Sequence, residues 1–213
     1  MNEPQIGAQL AATMSAVPDG CVAFTAAVRL LAEGAPVDIA RLAHELGWSH
    51  ERLEAVLAHF PNVERNQAGA LVGFALTLRP TRHRFEVDAR TLFTWCALDA
   101  LFLPAVLGRS ARVESSCAAT GEPIRLRVSP EQVDELEPLG AVVSLVGPCG
   151  TDDLRRSFCN EVSFLASADV AHGWLGAHPG SFVVPVAQAF DAGRDFVTRA
   201  LSVAQQSCCS SVP

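Results

Sequence analysis

The sequence predicts an α+β protein in which a helical, winged-helix-like N-terminal unit packs on a mixed α/β core. Helical patterns dominate the first part of the chain, short apolar strands and helices follow one another afterwards, and no regular βαβ alternation occurs. A length of 213 residues with 49% hydrophobic residues is sufficient for a well-buried core. We place the N-terminal unit at residues 1–80 and the core at residues 81–213.

Three helices and a strand pair are predicted first. The helices cover Val22 to Leu31, Asp38 to Leu46 and Ser49 to Phe60, where Ser49 is suited to the N-cap position of the third helix. The strands cover Ala70 to Leu78 and Arg84 to Val87. A helix-turn-helix followed by two strands is the winged-helix pattern.

The winged-helix pattern raises the possibility of DNA binding. Its third helix would present His50, Glu51, Arg52, Glu54 and His59, which do not form a basic face. The net charge of −7 also disfavours a nucleic-acid partner, because phosphate binding requires a positive surface. We therefore interpret this unit as a packing module.

The second half of the chain begins with one of its most apolar segments. Leu92 to Leu103 is expected to be helical and contains Cys96 and Asp99. The elements expected after it are strands at Arg112 to Ser115, Ile124 to Val128, Ala141 to Val146 and Phe158 to Ala166, and helices beginning at Ser129, near Asp152 to Arg156, around Trp174 and from Val186 to Ala204.

Cys96 and Asp99 are the most informative pair of residues in the sequence. Residues three apart on a helix share a face, so the thiol and the carboxyl should point the same way. Apolar surroundings should raise the pKa of Asp99 and suit it to accept and return a proton near neutral pH. The alternative is that Cys96 is a buried structural thiol and Asp99 is satisfied by an arginine or by backbone amides.

The other cysteines give weaker signals. Period-two alternation places Cys159 on the strand face opposite Phe158, so it is not an obvious core residue. Cys117 lies in a turn between two strands and is best interpreted as structural. The sequence contains no CxxC pair and no His-x-x-x-His spacing, so a zinc site is poorly supported. It also contains no P-loop, no G-x-G-x-x-G and no G-x-S-x-G motif.

Four ordered motifs together resemble the bacterial organomercurial lyases (alkylmercury lyases). They are Phe93-Thr94-Trp95-Cys96-Ala97-Leu98-Asp99 with Phe102-Leu103-Pro104-Ala105, then Gly108-Arg109-Ser110-Ala111-Arg112-Val113, then Cys117-Ala118-Ala119-Thr120-Gly121, and Arg156-Ser157-Phe158-Cys159. The resemblance covers most of the chain and implies that residues 81–213 form a catalytic core. It also implies that Cys96 and Cys159 bind mercury, that Asp99 is the acid/base carboxylate, and that Cys117 is structural.

The resemblance implies protonolysis of the carbon–mercury bond to give a hydrocarbon and Hg(II). The residues suit this chemistry, because soft thiolates bind a soft metal well and Asp99 can supply the proton. The expected metal site is therefore Cys96, Cys159 and Asp99, with Hg(II) held there as product, external thiols needed for turnover and no cofactor required. The family implies transfer of Hg(II) to mercuric reductase. Candidates to line an apolar pocket are Phe93, Trp95, Phe158 and Phe164.

Two other functions are compatible with parts of the sequence. A mercury-responsive winged-helix regulator, or a metal-binding protein, would bind DNA or metal without releasing a hydrocarbon. A cysteine hydrolase would use Cys96, Asp99 and a distant histidine such as His172 or His178, but no local signature supports it. An assay for hydrocarbon release discriminates among them.

The cysteine count and the apolar segments bear on location. Seven cysteines, an odd number, speak against a pure disulfide framework. Leu92 to Leu107 is too short to span a bilayer, and the N-terminus does not have the pattern of a signal peptide. We expect a cytoplasmic protein with reduced thiols and no membrane partner.

The sequence departs from the family pattern in two ways. Residue 160 is Asn160, where some relatives have a further cysteine. Four cysteines do not belong to the pattern, namely Cys21, Cys149, Cys208 and Cys209.

Overall fold

The computed structural model describes residues 3–147 and 154–209. It confirms the α+β class, with a helical N-terminal region and a mixed core. Strands from both sides of residue 80 belong to one antiparallel sheet, so the division into residues 1–80 and 81–213 stays a prediction.

Four helices form the N-terminal region. They are α1 (Glu3–Ser15), α2 (Gly20–Leu31), α3 (Ile39–Leu46) and α4 (His50–Leu57). The last three confirm the sequence prediction, whereas α1 was not predicted. Side chains cap two of them, since Asp38 accepts from the Ala40 amide at 2.7 Å and Ser49 accepts from the Arg52 amide at 3.2 Å.

The larger sheet has eight strands in the order β1-β2-β3-β5-β4-β6-β7-β8, and its neighbouring strands are antiparallel. Its strands are β1 (Glu64–Arg65), β2 (Leu71–Phe74), β3 (Leu76–Thr77), β4 (His83–Val87), β5 (Arg90–Thr94), β6 (Ala111–Ser116), β7 (Pro123–Val128) and β8 (Val133–Glu137). The predicted strand at Ala70 to Leu78 is in fact two strands. The chain reverses at Ala75, whose φ of 61° allows Phe74 to pair with Leu76.

The helix predicted at Ser129 does not form. The Ser129 hydroxyl does accept hydrogen bonds from the amides of Glu131 and Gln132, as an N-cap would. The Ser129 amide, however, donates to the Gln132 carbonyl at 2.8 Å and closes a tight turn. The chain then enters β8, because pairing with β7 supplies the backbone partners that a helix would have supplied.

The apolar segment from Leu92 divides into a strand and a helix. Residues up to Thr94 pair in β5, and α5 (Ala97–Leu107) begins only after Cys96, so the prediction that Cys96 lies within a helix was wrong. The helix α8 (Val186–Cys209) packs closely on α5, where a Cβ at Gly193 would lie 2.9 Å from the Phe102 Cβ. Ten of the eleven residues of α5 are buried, so this helix lies within the core.

A second sheet of three strands has the order β10-β9-β11. Its strands are β9 (Val142–Leu145), β10 (Phe164–Leu165) and β11 (Phe182–Pro185), and the helices beside it are α6 (Leu154–Ser157) and α7 (Ala168–Leu175). The predicted strand from Phe158 to Ala166 was largely wrong. Cys159–Glu161 instead form a 3₁₀ turn, in which the Val162 amide donates to the Cys159 carbonyl. Ser144 of β9 holds the end of this turn, because its hydroxyl donates to the Glu161 carbonyl and accepts from the Ser163 amide.

Among the described helices, no single one is both long enough and apolar enough to cross a membrane. Residues Gln5–Ser15 of α1 and Gly20–Leu31 of α2 reach that length and composition only as a pair, which is bent by 100°.

Candidate functional site

Cys96, Asp99 and Cys159 lie together in the interior. Their ligand atoms (the two sulfurs and a carboxylate oxygen) are all within 4.8 Å of one another. Within residues 3–147 and 154–209, this is the one group of three or more cysteine, histidine or acidic side chains close enough to share an ion. Exposure of the three residues is 0%, 5% and 7%, so the group is enclosed by protein.

Local backbone geometry positions Cys96 and Asp99. Cys96 is the N-cap of α5, and Asp99 is three residues into that helix. The Cys96 amide donates to Asp99 Oδ2 at 3.0 Å, and the Asp99 amide donates to Cys96 Sγ at 3.5 Å. This is a capping box in which a thiol takes the usual place of a hydroxyl. The predicted juxtaposition of thiol and carboxyl is correct, although a helix cap produces it rather than a helix face.

Tertiary contacts bring Cys159 to the same place. The 3₁₀ turn that carries it is held to β9 by Ser144, as described above. The Ala97 amide at the start of α5 donates to the Val162 carbonyl at 3.1 Å. This bond ties the end of the Cys159 turn to the helix that begins beside Cys96. Cys159 is therefore buried, contrary to the prediction from strand alternation.

An apolar cavity of about 50 Å³ adjoins the group. Its wall comprises Leu10, Met14, Phe24, Phe74, Ala75, Trp95, Leu98, Asp99, Phe102, Phe158, Cys159 and Phe196. The prediction that Trp95 and Phe158 line this cavity is confirmed. Phe93 and Phe164, which were also predicted to line it, are not part of its wall. The sequence analysis did not identify the wall residues from α1, α2 and α8, because they are far from Cys96 in sequence; they are Leu10, Met14, Phe24 and Phe196. The buried Nε1 of Trp95 has no hydrogen-bond partner among the described residues.

Burial controls the protonation of the three groups. It raises the pKa of Asp99 to about 6, against the opposing effects of hydrogen bonds with Cys96 and of the Arg155 charge. Burial also raises the pKa of Cys96 well above its ordinary range. The hydrogen bond with Cys96 lowers the pKa of Cys159, but burial and the Asp99 carboxylate outweigh it, so that this pKa is raised as well. Both thiols are thus protonated at neutral pH until a partner removes the proton.

Arg155 is a neighbour of this group that the sequence analysis did not identify. It lies in α6, four residues before Cys159, and its guanidinium carbon is 4.8 Å from the centre of the Trp95 ring. Its other partner is Glu64, whose carboxylate accepts a hydrogen bond from Nη1. The position of Arg155 four residues before Cys159 was the available signal, but nothing in the sequence pointed to Glu64.

The remaining cysteines lie elsewhere. Cys117 is buried in the turn between β6 and β7, where its sulfur accepts from the Ala166 amide at 3.4 Å. Cys21 is a buried free thiol in α2. Cys149 lies outside the described residues, and for Cys208 and Cys209 only the helical backbone is described.

The histidines proposed for a hydrolase do not belong to the cluster in the described part of the chain. His178 instead pairs with Glu161 at 2.7 Å and stacks on Trp174, with 3.5 Å between the ring centres. His172 lies in the last turn of α7.

Comparison with known proteins gives consistent matches along the chain. Residues 76–198 match the family model described as alkylmercury lyase, and residues 5–75 match the model described as the helix-turn-helix domain of alkylmercury lyase. The alkylmercury lyase of Pseudomonas putida is 48% identical over 170 residues, which is 80% of each chain. That of Streptomyces lividans is 46% identical over 167 residues, or 78% of each.

Solved structures agree with the fold. The crystal structure of the mercury-bound form of MerB2 superposes with a TM-score of 0.80 and 23% identity. The match covers 92% of this chain and 98% of that one. At this level of identity it supports the similarity in architecture only.

Proposed function

Because this chain belongs to the alkylmercury lyase family, and is accordingly an enzyme of the carbon–mercury lyase class, we propose that Cys96, Cys159 and Asp99 are its catalytic residues. The two thiols would bind the mercury of an alkyl- or arylmercury substrate, and Asp99 would carry the proton that replaces mercury on carbon. The products would be the hydrocarbon and Hg(II), with no cofactor required.

One observation carries this proposal: the sulfurs of Cys96 and Cys159 and an Asp99 oxygen lie within 4.8 Å of one another. Metal–thiolate bonds are on the order of 2.3 Å, the value for zinc, so one ion between the sulfurs can contact both. Cys96 and Cys159 are 63 positions apart, and such proximity of two thiols and a carboxyl in an apolar interior is difficult to explain by packing alone.

The first step would be capture of the substrate R–Hg–X by Cys96. Its sulfur forms a bond to mercury, the Hg–X bond breaks, and X leaves with the thiol proton as HX. The second step would use Cys159, whose thiol proton passes to the Asp99 carboxylate as its sulfur forms the second S–Hg bond. Asp99 suits this exchange, because a pKa of about 6 makes it a stronger base than an ordinary carboxylate.

The third step would be protonation of carbon. Two sulfur ligands increase electron density at mercury and weaken the Hg–C bond. The protonated Asp99 donates to the carbon as that bond breaks, and the bonding electron pair stays with carbon to form the C–H bond. The products are R–H and Hg(II) bound by both sulfurs, and Asp99 returns to its ionised state, so atoms and charges balance.

The cavity would hold the organic group. Its wall is largely aliphatic and aromatic, so it can accept varied R groups by burial of apolar surface, at about 25 cal/mol per Å². Enclosure also limits competition from water for mercury. A cavity of about 50 Å³ is much smaller than the ~150 Å³ that holds benzene in other proteins. We therefore expect the wall to move when an aryl group binds.

Turnover would require removal of Hg(II) from the two sulfurs. A dithiolate complex dissociates slowly alone, so we propose exchange with cellular thiols or with a cysteine pair of mercuric reductase. We also propose a cytoplasmic location, where reduced thiols are abundant. Transfer of Hg(II) from the loaded protein to mercuric reductase, compared with transfer to a small thiol, would test the proposed partner.

The test of the mechanism is benzene release from phenylmercury in excess thiol. Cys96→Ser, Cys159→Ser and Asp99→Ala should each abolish turnover or reduce it severely. Cys21→Ser is the matched control, because it also removes a buried free thiol but lies outside the cluster. Full activity in Cys159→Ser would refute the two-thiol mechanism, and equal losses in all the cysteine variants would point to a general folding defect.

A further inference from the structure

Glu64 is a buried carboxylate that the mechanism above does not use. Its side chain is only 7% exposed, although it belongs to the short edge strand β1. A buried carboxylate is costly unless it is paired and hydrogen-bonded. Both of its oxygens have partners: Oε2 accepts from the Thr77 hydroxyl, and Oε1 accepts from Nη1 of Arg155.

The sheet provides space for this carboxylate at Gly73. Glu64 pairs with Gly73 across β1 and β2, and Gly73 pairs with Thr77 across β2 and β3. A Cβ built on Gly73 would overlap Glu64 Oε2 and would lie 2.8 Å from the Thr77 hydroxyl oxygen. The absence of a side chain at residue 73 is therefore what allows Glu64 to point inward.

Arg155 connects this carboxylate to both cysteine-bearing segments. Its guanidinium lies over the ring of Trp95, the residue before Cys96, while its own backbone lies in α6, four residues before Cys159. The contact between Arg155 and Trp95 therefore links the segment that carries Cys159 to the segment that carries Cys96. Glu64, 91 residues from Arg155 in sequence, holds the guanidinium from the other side.

We propose that Glu64 is a positioning residue: by fixing the Arg155 guanidinium against Trp95, it holds the Cys159 turn in register with Cys96 and Asp99. This inference rests on the proposed function, since it assumes that both thiols act on one mercury atom. Within the described part of the chain, the Glu64 carboxylate bonds to Thr77 and Arg155, and it makes no hydrogen bond with the thiols or with Asp99. Its effect would be transmitted through Arg155.

The consequence for the reaction is geometric. The second S–Hg bond can form only if Cys159 is within reach of a mercury atom already bound to Cys96. Loss of the Glu64 carboxylate would free the Arg155 side chain and widen the range of positions open to α6 and the turn after it. Residues that orient metal-binding side chains from a distance typically change activity by about 10–100-fold when they are replaced.

The experiment compares Glu64→Gln and Glu64→Ala with wild type and with Glu54→Gln. Glu54 is a suitable control, because it also pairs with an arginine of β1, Arg65, at 2.7 Å, but is neither a member of the cluster nor part of the cavity wall. Steady-state kcat and KM for phenylmercury are measured for each protein. We expect kcat to fall about 10-fold in Glu64→Gln and about 100-fold in Glu64→Ala, with a smaller change in KM.

A second measurement reports on Arg155 directly. In a Trp48→Phe, Trp174→Phe background, Trp95 is the one fluorescent indole, since the chain has three tryptophans. Glu64→Gln should increase quenching of Trp95 by iodide, because the guanidinium no longer stays over the ring. Glu54→Gln should leave both kcat and the quenching unchanged.

The outcomes separate the two proposals. If wild-type protein releases no benzene, the proposed function fails, whatever the Glu64 variants do. If wild type is active but Glu64→Gln matches it in kcat and in quenching, the positioning role is overturned. Equal losses in Glu64→Gln and Glu54→Gln would also overturn it, since they would indicate general destabilisation of β1. If Glu64→Ala does not fold, Glu64→Gln alone decides.

Discussion

The backbone amides of Cys96 and Asp99 each donate a hydrogen bond to the other residue's side chain, at 3.0 Å to the carboxylate and 3.5 Å to the sulfur. The pair therefore forms the cap of α5 and, in the proposed mechanism, part of the catalytic group. Because one set of contacts serves both purposes, substitutions at Asp99 must be chosen to distinguish the loss of the cap from the loss of the proton carrier.

Asp99→Asn makes this distinction. The asparagine carbonyl can still accept from the Cys96 amide, so the cap should survive, whereas an amide cannot carry the proton. We expect benzene release from phenylmercury to fall by at least about 100-fold, in the range that general acid–base catalysis contributes. Helix content by circular dichroism should match wild type. Turnover near the wild-type rate would exclude Asp99 as the proton donor.

The raised pKa of Asp99 predicts that the free energy of unfolding depends on pH, and Asp99→Asn provides the comparison. The pKa of Asp99 is raised from 3.8 to about 6, so folding is favoured by its protonated form. That contribution is fully present below pH 3.8 and is lost as the pH rises through about 6. At 1.36 kcal/mol per pKa unit the full effect is about 3 kcal/mol. Because the carboxyl of the unfolded chain is already more than half ionised at pH 4, wild type should lose about 2 kcal/mol relative to Asp99→Asn between pH 4 and pH 7. Urea unfolding of both proteins measures this difference, and parallel pH profiles would contradict it.

Cys117 is expected to support folding rather than turnover. Its sulfur accepts the Ala166 amide, and the neighbouring Ala118 amide donates to the Phe164 carbonyl at 3.0 Å, so this turn anchors β10. Cys117→Ala should lower the free energy of unfolding by about 1–3 kcal/mol, because a buried amide loses its acceptor. Cys117→Ser should lose less, since a hydroxyl can accept instead. The rate of benzene release per folded molecule should stay unchanged in both variants.

Met14 should restrict the size of the organic group. It lines the small cavity from α1, so Met14→Ala would enlarge the space beside Cys159. We expect kcat/KM for phenylmercury to rise relative to that for methylmercury by about 10-fold, as for other apolar pockets that gain a few atoms of space. Ile6→Ala is the control, because Ile6 is buried in the same helix but does not line the cavity. It should be destabilised without a change in this ratio.

Gly73→Ala tests the space around the Glu64 carboxylate and leaves both charged residues, Glu64 and Arg155, in place. The added methyl group would overlap the carboxylate, so turnover should fall by about 10–100-fold, as in the Glu64 variants. Gly140→Ala is the control, since a Cβ there meets nothing within 4 Å. Wild-type turnover in Gly73→Ala, with the fold intact, would show that Glu64 does not need its present position.

Local interactions made several features predictable from the sequence. Asp38 and Ser49 cap the helices that were predicted to start at these residues. The paired strands β6 and β7 alternate buried and exposed side chains, as their sequences predicted. Cys96 and Asp99 are three residues apart, so their proximity needs only one turn of backbone. The local signal at Ser129 was misleading, because a cap-like turn can be followed by a strand when a neighbouring strand offers a ladder.

The sequence by itself thus determined the chemistry that is available and the half of the site built on one helix cap. The family resemblance named Cys159 as the second thiol, but only the tertiary structure decided how its sulfur reaches Cys96, that α1 and α8 would close the cavity, and that Glu64 would reach Arg155. The physical reason is separation along the chain. Contacts within a few residues follow from backbone geometry, whereas contacts across 63 or 91 residues depend on sheet register and on the packing of whole elements.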